Sequence, residues 1–224
     1  MKIFSVNWEA TTAGPSPDNN KRTEIFLYGC KKAKQGNECK GCFNKELQDE
    51  SNCIKNYTVD EMVETIKKFS PNRYITIGGG EPTDQLEDLV PLCYELKRLG
   101  YNIIVYTWRS LKAIQNNDDE GVPCDMDLLS KLLYKIDILI DGEFHIDECI
   151  YDINSEDGLT NSVGSKNQII WDIKNYHTNY LKGTRVFNGF KLQDILQLCI
   201  DSNQKELKYL LKDDYEEQCV QITI

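Results

Sequence analysis

The sequence predicts an α/β domain built on a parallel β-sheet with crossover helices, and two observations predict it. Short runs rich in β-branched and aromatic residues alternate with longer stretches whose apolar residues recur at helical spacing. The bulk numbers fit such a domain: of 224 residues, 40% are hydrophobic and 28% charged, and the chain is long enough to bury a core of its own.

The first strand of the series is Glu24-Ile25-Phe26-Leu27-Tyr28-Gly29, and a loop carrying Cys30, Cys39 and Cys42 follows it. Thr58-Val59-Asp60-Glu61 then reads as a capping box, in which the Thr58 hydroxyl takes the Glu61 amide and the Glu61 side chain reaches back. The helix it opens runs through Lys68. Arg73-Tyr74-Ile75-Thr76-Ile77 is the second strand and leads straight into Gly78-Gly79-Gly80-Glu81-Pro82. Leu86, Leu89, Val90, Cys93, Leu96 and Leu99 mark a helix that stops at Gly100, with Pro91 weakening its first half. Asn102 to Thr107 is a third strand, Asp125 to Ile136 a helix, Asp137 to Gly142 a fourth strand, and Gln168 to Ile173 one more. Beyond Lys174 the pattern changes. Phe190 to Cys199 and Lys205 to Leu211 read as helices and Val220 to Ile224 as an edge strand, so residues 1–174 are read as the main domain and 175–224 as a C-terminal extension packed on or beside it.

Charge and composition exclude several functions. A net charge of −10 leaves no basic face for general nucleic-acid binding, although Lys31, Lys32, Lys34, Lys40 and Lys45 surround the cysteine loop. No apolar stretch approaches the roughly 20 residues that cross a bilayer, and Met1 to Glu9 lacks the features of a secretory signal, so a cytoplasmic protein with no membrane partner is expected. Nine cysteines are an odd count, which argues against a disulfide framework. Cys93, Cys149, Cys199 and Cys219 lie among aliphatic neighbours and read as small buried hydrophobes. His145 and His177 belong to no Ser/His/Asp arrangement, Asp141-Gly142 reads as a turn, and Trp108 with Arg109 either packs or stacks on a ligand ring.

The chemistry lies in the loops. Parallel strand order places every strand-to-helix loop at one end of the sheet, so the cysteine loop and the glycine loop should be neighbours. Three thiolates can hold an iron–sulfur cluster by three of its four irons and leave the last open for a substrate. Glycines let backbone approach a ligand closely, their carbonyls can accept from an ammonium group, and Glu81 adds negative charge beside it. On spacing alone a structural zinc site also remains open, with Cys53 as a fourth thiolate.

Together these residues resemble the radical S-adenosylmethionine (SAM) superfamily, and more narrowly the activating proteins of anaerobic ribonucleotide reductase. Leu27-Tyr28-Gly29-Cys30 with Cys39-Lys40-Gly41-Cys42-Phe43-Asn44 is similar to that family's cluster loop, and Gly79-Gly80-Glu81-Pro82 to its SAM-amine motif. Tyr106-Thr107, Asp141 to Phe144 and Gly164 to Gln168 resemble its later signatures. The resemblance implies an incomplete parallel β/α barrel of the radical SAM type and a [4Fe–4S] cluster on Cys30, Cys39 and Cys42. It places SAM against Gly41, Cys42, Phe43, Gly79, Gly80 and Glu81. Reductive cleavage of SAM would yield a 5′-deoxyadenosyl radical that makes a glycyl radical on an anaerobic ribonucleotide reductase, with a flavodoxin or ferredoxin as electron donor. The alternatives are another radical SAM enzyme, such as a 7-carboxy-7-deazaguanine synthase or the activase of a different glycyl-radical enzyme, or a zinc-stabilised binding module. One departure stands out: eight residues, Lys31 to Glu38, separate the first two cysteines where the family has three. Lengthening the closed segment about twofold costs only about 0.6 kcal/mol of loop entropy, small against several metal–thiolate bonds. The added lysines suggest a dock for the acidic electron carrier.

Overall fold

Alternation along the strands divides the chain's apolar residues between two faces of one sheet. The computed structural model describes residues 1–10, 14, 21–149 and 163–173. Its six strands lie side by side in sequence order: β1 (Ile3–Ala10), β2 (Arg22–Leu27), β3 (Tyr74–Gly79), β4 (Asn102–Thr107), β5 (Ile138–Asp141) and β6 (Ile169–Asp172). β2 to β5 are parallel, as the pattern predicts, whereas β1 and β6 pair antiparallel at the two margins. The sheet is therefore mixed. A parallel β6 would need a crossover of a dozen or more residues, usually a helix, and the polar, turn-rich sequence before it offers no apolar stripe for one. β1 escapes the sequence reading because register shifts between Ile3 and Ser5 and between Asn7 and Ala10 break its alternation.

The helices are α1 (Lys31–Lys34), α2 (Val59–Phe69), α3 (Leu86–Arg98), α4 (Leu111–Gln115) and α5 (Met126–Leu133). The capping box of α2 forms in both directions: the Glu61 amide donates to Thr58 Oγ1 at 3.1 Å and the Thr58 amide to Glu61 Oε2 at 2.9 Å. α3 runs unbroken through Pro91, which sits on its exposed side where the missing N–H leaves a carbonyl for water. α4, a short element that the periodicity did not announce, is capped by the Ser110 hydroxyl.

One sheet face, through Ile25, Leu27, Ile75, Ile77, Ile103 and Val105, packs on Met62, Ile66, Leu89, Leu92, Leu96, Leu129 and Leu132 of the helices. The other face carries a separate cluster of Ile104, Ile138, Ile140 and Ile170 with Val163. Period 2 puts Glu24, Phe26, Thr76 and Tyr106 on that second face. Arg22, 1% exposed, ties the starts of three strands together: it donates to Thr76 Oγ1 at 2.7 Å, the Ile75 carbonyl at 2.6 Å and Asn102 Oδ1 at 3.0 Å. Burial lowers its pKa to about 9, so it remains charged at neutral pH.

Among the described residues no helix is long and apolar enough to cross a membrane. Cys93 is buried as expected, but Cys149 is exposed, in an isolated antiparallel bridge with Ser165, and is no core hydrophobe. Its aliphatic sequence neighbour Ile146 is exposed too, so the local apolar pattern there does not mark burial. The expected elements between 190 and 224, the extension 175–224, Cys199, Cys219 and His177 lie outside the described residues.

Leu96→Ala, at a fully buried position of α3, is expected to cost about 2–5 kcal/mol in urea unfolding. Thr58→Ala should cost about 1 kcal/mol through loss of the cap.

Candidate functional site

β2 and β3 end together, with Leu27 opposite Gly79, and the loops that leave them are joined backbone to backbone. The Gly80 amide donates to the Leu27 carbonyl at 2.9 Å and the Glu81 amide to the Gly29 carbonyl at 2.7 Å. Gly29 and Cys30 in turn donate to the carbonyls of Leu47 and Gln48 in the far limb of the cysteine loop. This contact explains the glycines. A Cβ on Gly79 would lie 2.4 Å from the Leu27 backbone, and one on Gly80 2.2 Å from the Gly29 carbonyl. The requirement is thus close approach of the two loops to one another, where the sequence suggested close approach to a ligand. The Gly79 carbonyl already accepts from Asn44 Nδ2 at 2.8 Å and keeps one lone pair.

Cys30, Cys39 and Cys42 all line one cavity of about 440 Å³, together with Phe43, Gly79, Gly80 and Glu81. Its opposite wall comes from the ends of β4 and β5 and from the 164–168 segment, through Tyr106, Thr107, Trp108, Phe144 and Gln168. Phe43 packs on Phe144 with ring centroids 4.4 Å apart. Gln168 knits that wall, accepting from the Gly164 amide at 2.8 Å and donating to the Gly142 carbonyl at 3.0 Å. Of the expected site residues only Gly41 stays outside the cavity: at φ +77° it makes a turn, and a Cβ there would meet Ile146 at 2.7 Å.

Glu81 is 1% exposed and its carboxylate is fully engaged. Oε1 accepts from the Thr83 amide at 2.9 Å, the Thr83 hydroxyl at 2.6 Å and the Thr107 hydroxyl at 2.8 Å, while Oε2 accepts from the Trp108 amide at 3.1 Å. Burial, and then the nearby Asp84, push its pKa up, and these donors hold it down. It acts as the bracket that fixes β4 to the glycine loop. Arg109 is likewise structural: 1% exposed, it donates to Thr83 Oγ1 at 3.1 Å and to the carbonyls of Asp119 and Val122, leaving only Trp108 of that pair on the cavity wall. Asp141 is buried and accepts from the Leu111 amide at 2.6 Å, and Glu143 pairs with Lys32 at 3.2 Å, so the two do not work as a carboxylate pair.

The donor set fits an iron–sulfur cluster better than a single ion. Burial pushes the Cys30 thiol up to about 12 and the Cys39 thiol up to about 11. Among the described residues no three Cys, His, Asp or Glu side chains gather closely enough to share one metal ion. Thiolates bound to three separate corners of a cubane need not gather in that way. Cys53 lies off the cavity and donates to the Lys55 carbonyl at 3.2 Å, which removes the fourth ligand of the zinc reading.

A family model described as a 4Fe–4S single cluster domain matches residues 19–171, and the chain belongs to that family. A [4Fe–4S] cluster is therefore its cofactor. No curated protein matches the chain. The crystal structure of QueE from Escherichia coli is similar with a TM-score of 0.36 and 19% sequence identity, over 48% of this chain and 51% of that one, so the chain spans about half the length of that structure.

The sequence reading missed Glu24 and Phe26, which line the cavity from β2. The signal was available: they alternate with Ile25 and Leu27, which the helices bury. Burial raises the Glu24 carboxyl from 4.5 to about 7. A raised carboxyl pKa means that the folded state binds the proton more tightly, so the contribution to stability is complete below pH 4.5 and is lost as pH rises to about 7. Glu24→Gln should flatten this part of the stability–pH curve, measured by thermal melts across that range. Glu81→Gln, which turns an amide against fixed N–H donors, should cost about 1–3 kcal/mol in the same melts.

Proposed function

We propose that the chain is a radical SAM enzyme with a partial β/α barrel fold that generates a glycyl radical on an anaerobic ribonucleotide reductase. The observation that carries the reading is the convergence on one cavity of Cys30, Cys39 and Cys42 from the loop after β2 with Gly79, Gly80 and Glu81 from the loop after β3. Cluster and SAM together supply reductive cleavage of a sulfonium bond and abstraction of a hydrogen atom.

The chain supplies the rest. Cys30, Cys39 and Cys42 would hold the cluster. The remaining lone pair of the Gly79 carbonyl could accept from the SAM ammonium group, and Glu81 would act through the loop it fixes. Phe43 and Phe144 form an apolar lip, and Trp108 with Tyr106 gives aromatic surface for the nucleoside. The wall tied by Gln168 would shield a reactive species on that side of the cavity. An acidic flavodoxin or ferredoxin is the proposed electron donor. Of the five lysines at the loop, Lys32, Lys34, Lys40 and Lys45 each have a carboxylate of this chain within ion-pair distance. Such a face attracts an acidic partner only weakly.

Cys30→Ala, Cys39→Ala and Cys42→Ala should each abolish 5′-deoxyadenosine formation under anaerobic reduction and lower iron and sulfide content, while Cys53→Ala keeps both. Retention of cleavage by any of the first three refutes the ligand assignment. Cluster reduction by flavodoxin should depend only shallowly on ionic strength, measured by stopped-flow absorbance.

A further inference from the structure

One charged group in the cavity has no task in the reading above. Glu24 lies on the inner face of β2, two positions before Phe26 and so about 7 Å further from the cysteine loop along the strand. It lines the cavity floor with Phe26, Gly78 and Tyr106. Among the described residues its carboxylate makes no hydrogen bond and no ion pair, whereas Glu81 in the same cavity takes four donors. The nearest cation in sequence, Arg22, is turned across β3 to Thr76, the Ile75 carbonyl and Asn102. Further along this sheet face lie Ile104, Ile138 and Ile140, an apolar surface on which an acid breaks the local rule. A carboxyl group that faces a cavity with no partner of its own is open to a ligand that brings hydrogen-bond donors.

We propose that Glu24 anchors the hydrogen-donating substrate by accepting hydrogen bonds from its N–H groups, and that the substrate is a peptide segment whose backbone amides flank the target glycine. This rests on the glycyl-radical reading of the site. Position suits the role: Glu24 lines the same cavity as the cysteine and glycine loops but sits further back along β2 than Phe26. A carboxyl that titrates to about 7 can accept from a peptide N–H when ionised or donate to a peptide carbonyl when protonated, and a peptide presents both.

The test uses cluster-loaded protein with SAM and carboxyl-¹³C glutamate, with the Glu24 resonance assigned by its loss in Glu24→Gln. Acetyl-glycyl-glycinamide should shift that resonance on titration, and Glu24→Gln should bind the peptide about tenfold more weakly. The ester analogue, with oxygen in place of the central N–H, should bind wild type as weakly as the peptide binds the variant. Equal affinity of wild type and Glu24→Gln, equal affinity of ester and amide, or no binding by wild type overturns the proposal. Iron content and melting temperature check that the variant folds, and the ester comparison needs no variant at all. Absence of 5′-deoxyadenosine from reduced wild type would sink the radical SAM reading instead, leaving the titration to decide on Glu24.

Discussion

The site depends on a backbone contact between two loops. Parallel pairing brings the ends of β2 and β3 to the same level, but pairing stops at Leu27 and Gly79. Beyond that point the register is carried by the Gly80 amide on Leu27, the Glu81 amide on Gly29 and the Gly29 amide on Leu47. Only glycine permits this, since a methyl group on Gly79 or Gly80 would lie within 2.4 Å of the opposing backbone. Cys30 is fixed because its own amide belongs to the same ladder, and Glu81 carries the constraint to β4 through Thr107 and Trp108. Three strand ends are thereby locked by the chain's own groups.

The Lys31–Glu38 insertion joins the same structure. It forms α1, whose Lys32, only 14% exposed, reaches Glu143 at 3.2 Å and stands 4.9 Å from the Trp108 ring centroid. Lys40 pairs with Asp147, and the Ile146 amide donates to the Lys40 carbonyl. Exposed pairs such as Lys40–Asp147 contribute little, on the order of 0–1 kcal/mol. Lys32 is different because burial reduces its screening and the indole face adds attraction. Lys32 of the insertion and Lys40 beyond it thus strap the cysteine loop to the segments that follow β4 and β5.

The central architecture was legible in the sequence because its signals are local. Ile75 and Ile77, Ile103 and Val105, and the capping box at Thr58 each follow from spacing and side-chain type. The convergence of the cysteine and glycine loops follows from parallel order alone. What stayed hidden depends on distant partners. β1 is a strand because β2 offers it an edge, and its register shifts erase the period. Arg109 reads as a possible ligand-stacking residue and Asp141 as part of a turn, yet their roles are set by the Asp119–Val122 loop and by the Leu111 amide. Glu24 was overlooked inside an apolar run, where the face to which a residue points decides its chemistry.

The same geometry explains why the pocket favours a positively charged occupant. Glu81 and Asp84 are largely buried, Glu143 stands near Cys39, and the cysteines raise one another's pKa once any is ionised. Lys32 opposes this at Cys39, but its charge is already shared with Glu143. Burial and the neighbouring carboxylates disfavour the Cys30 and Cys39 thiolates in the free pocket. Iron removes that obstacle by neutralising the thiolates as it binds. On the proposed reading, these acidic surroundings would favour a ligand that carries ammonium and sulfonium groups.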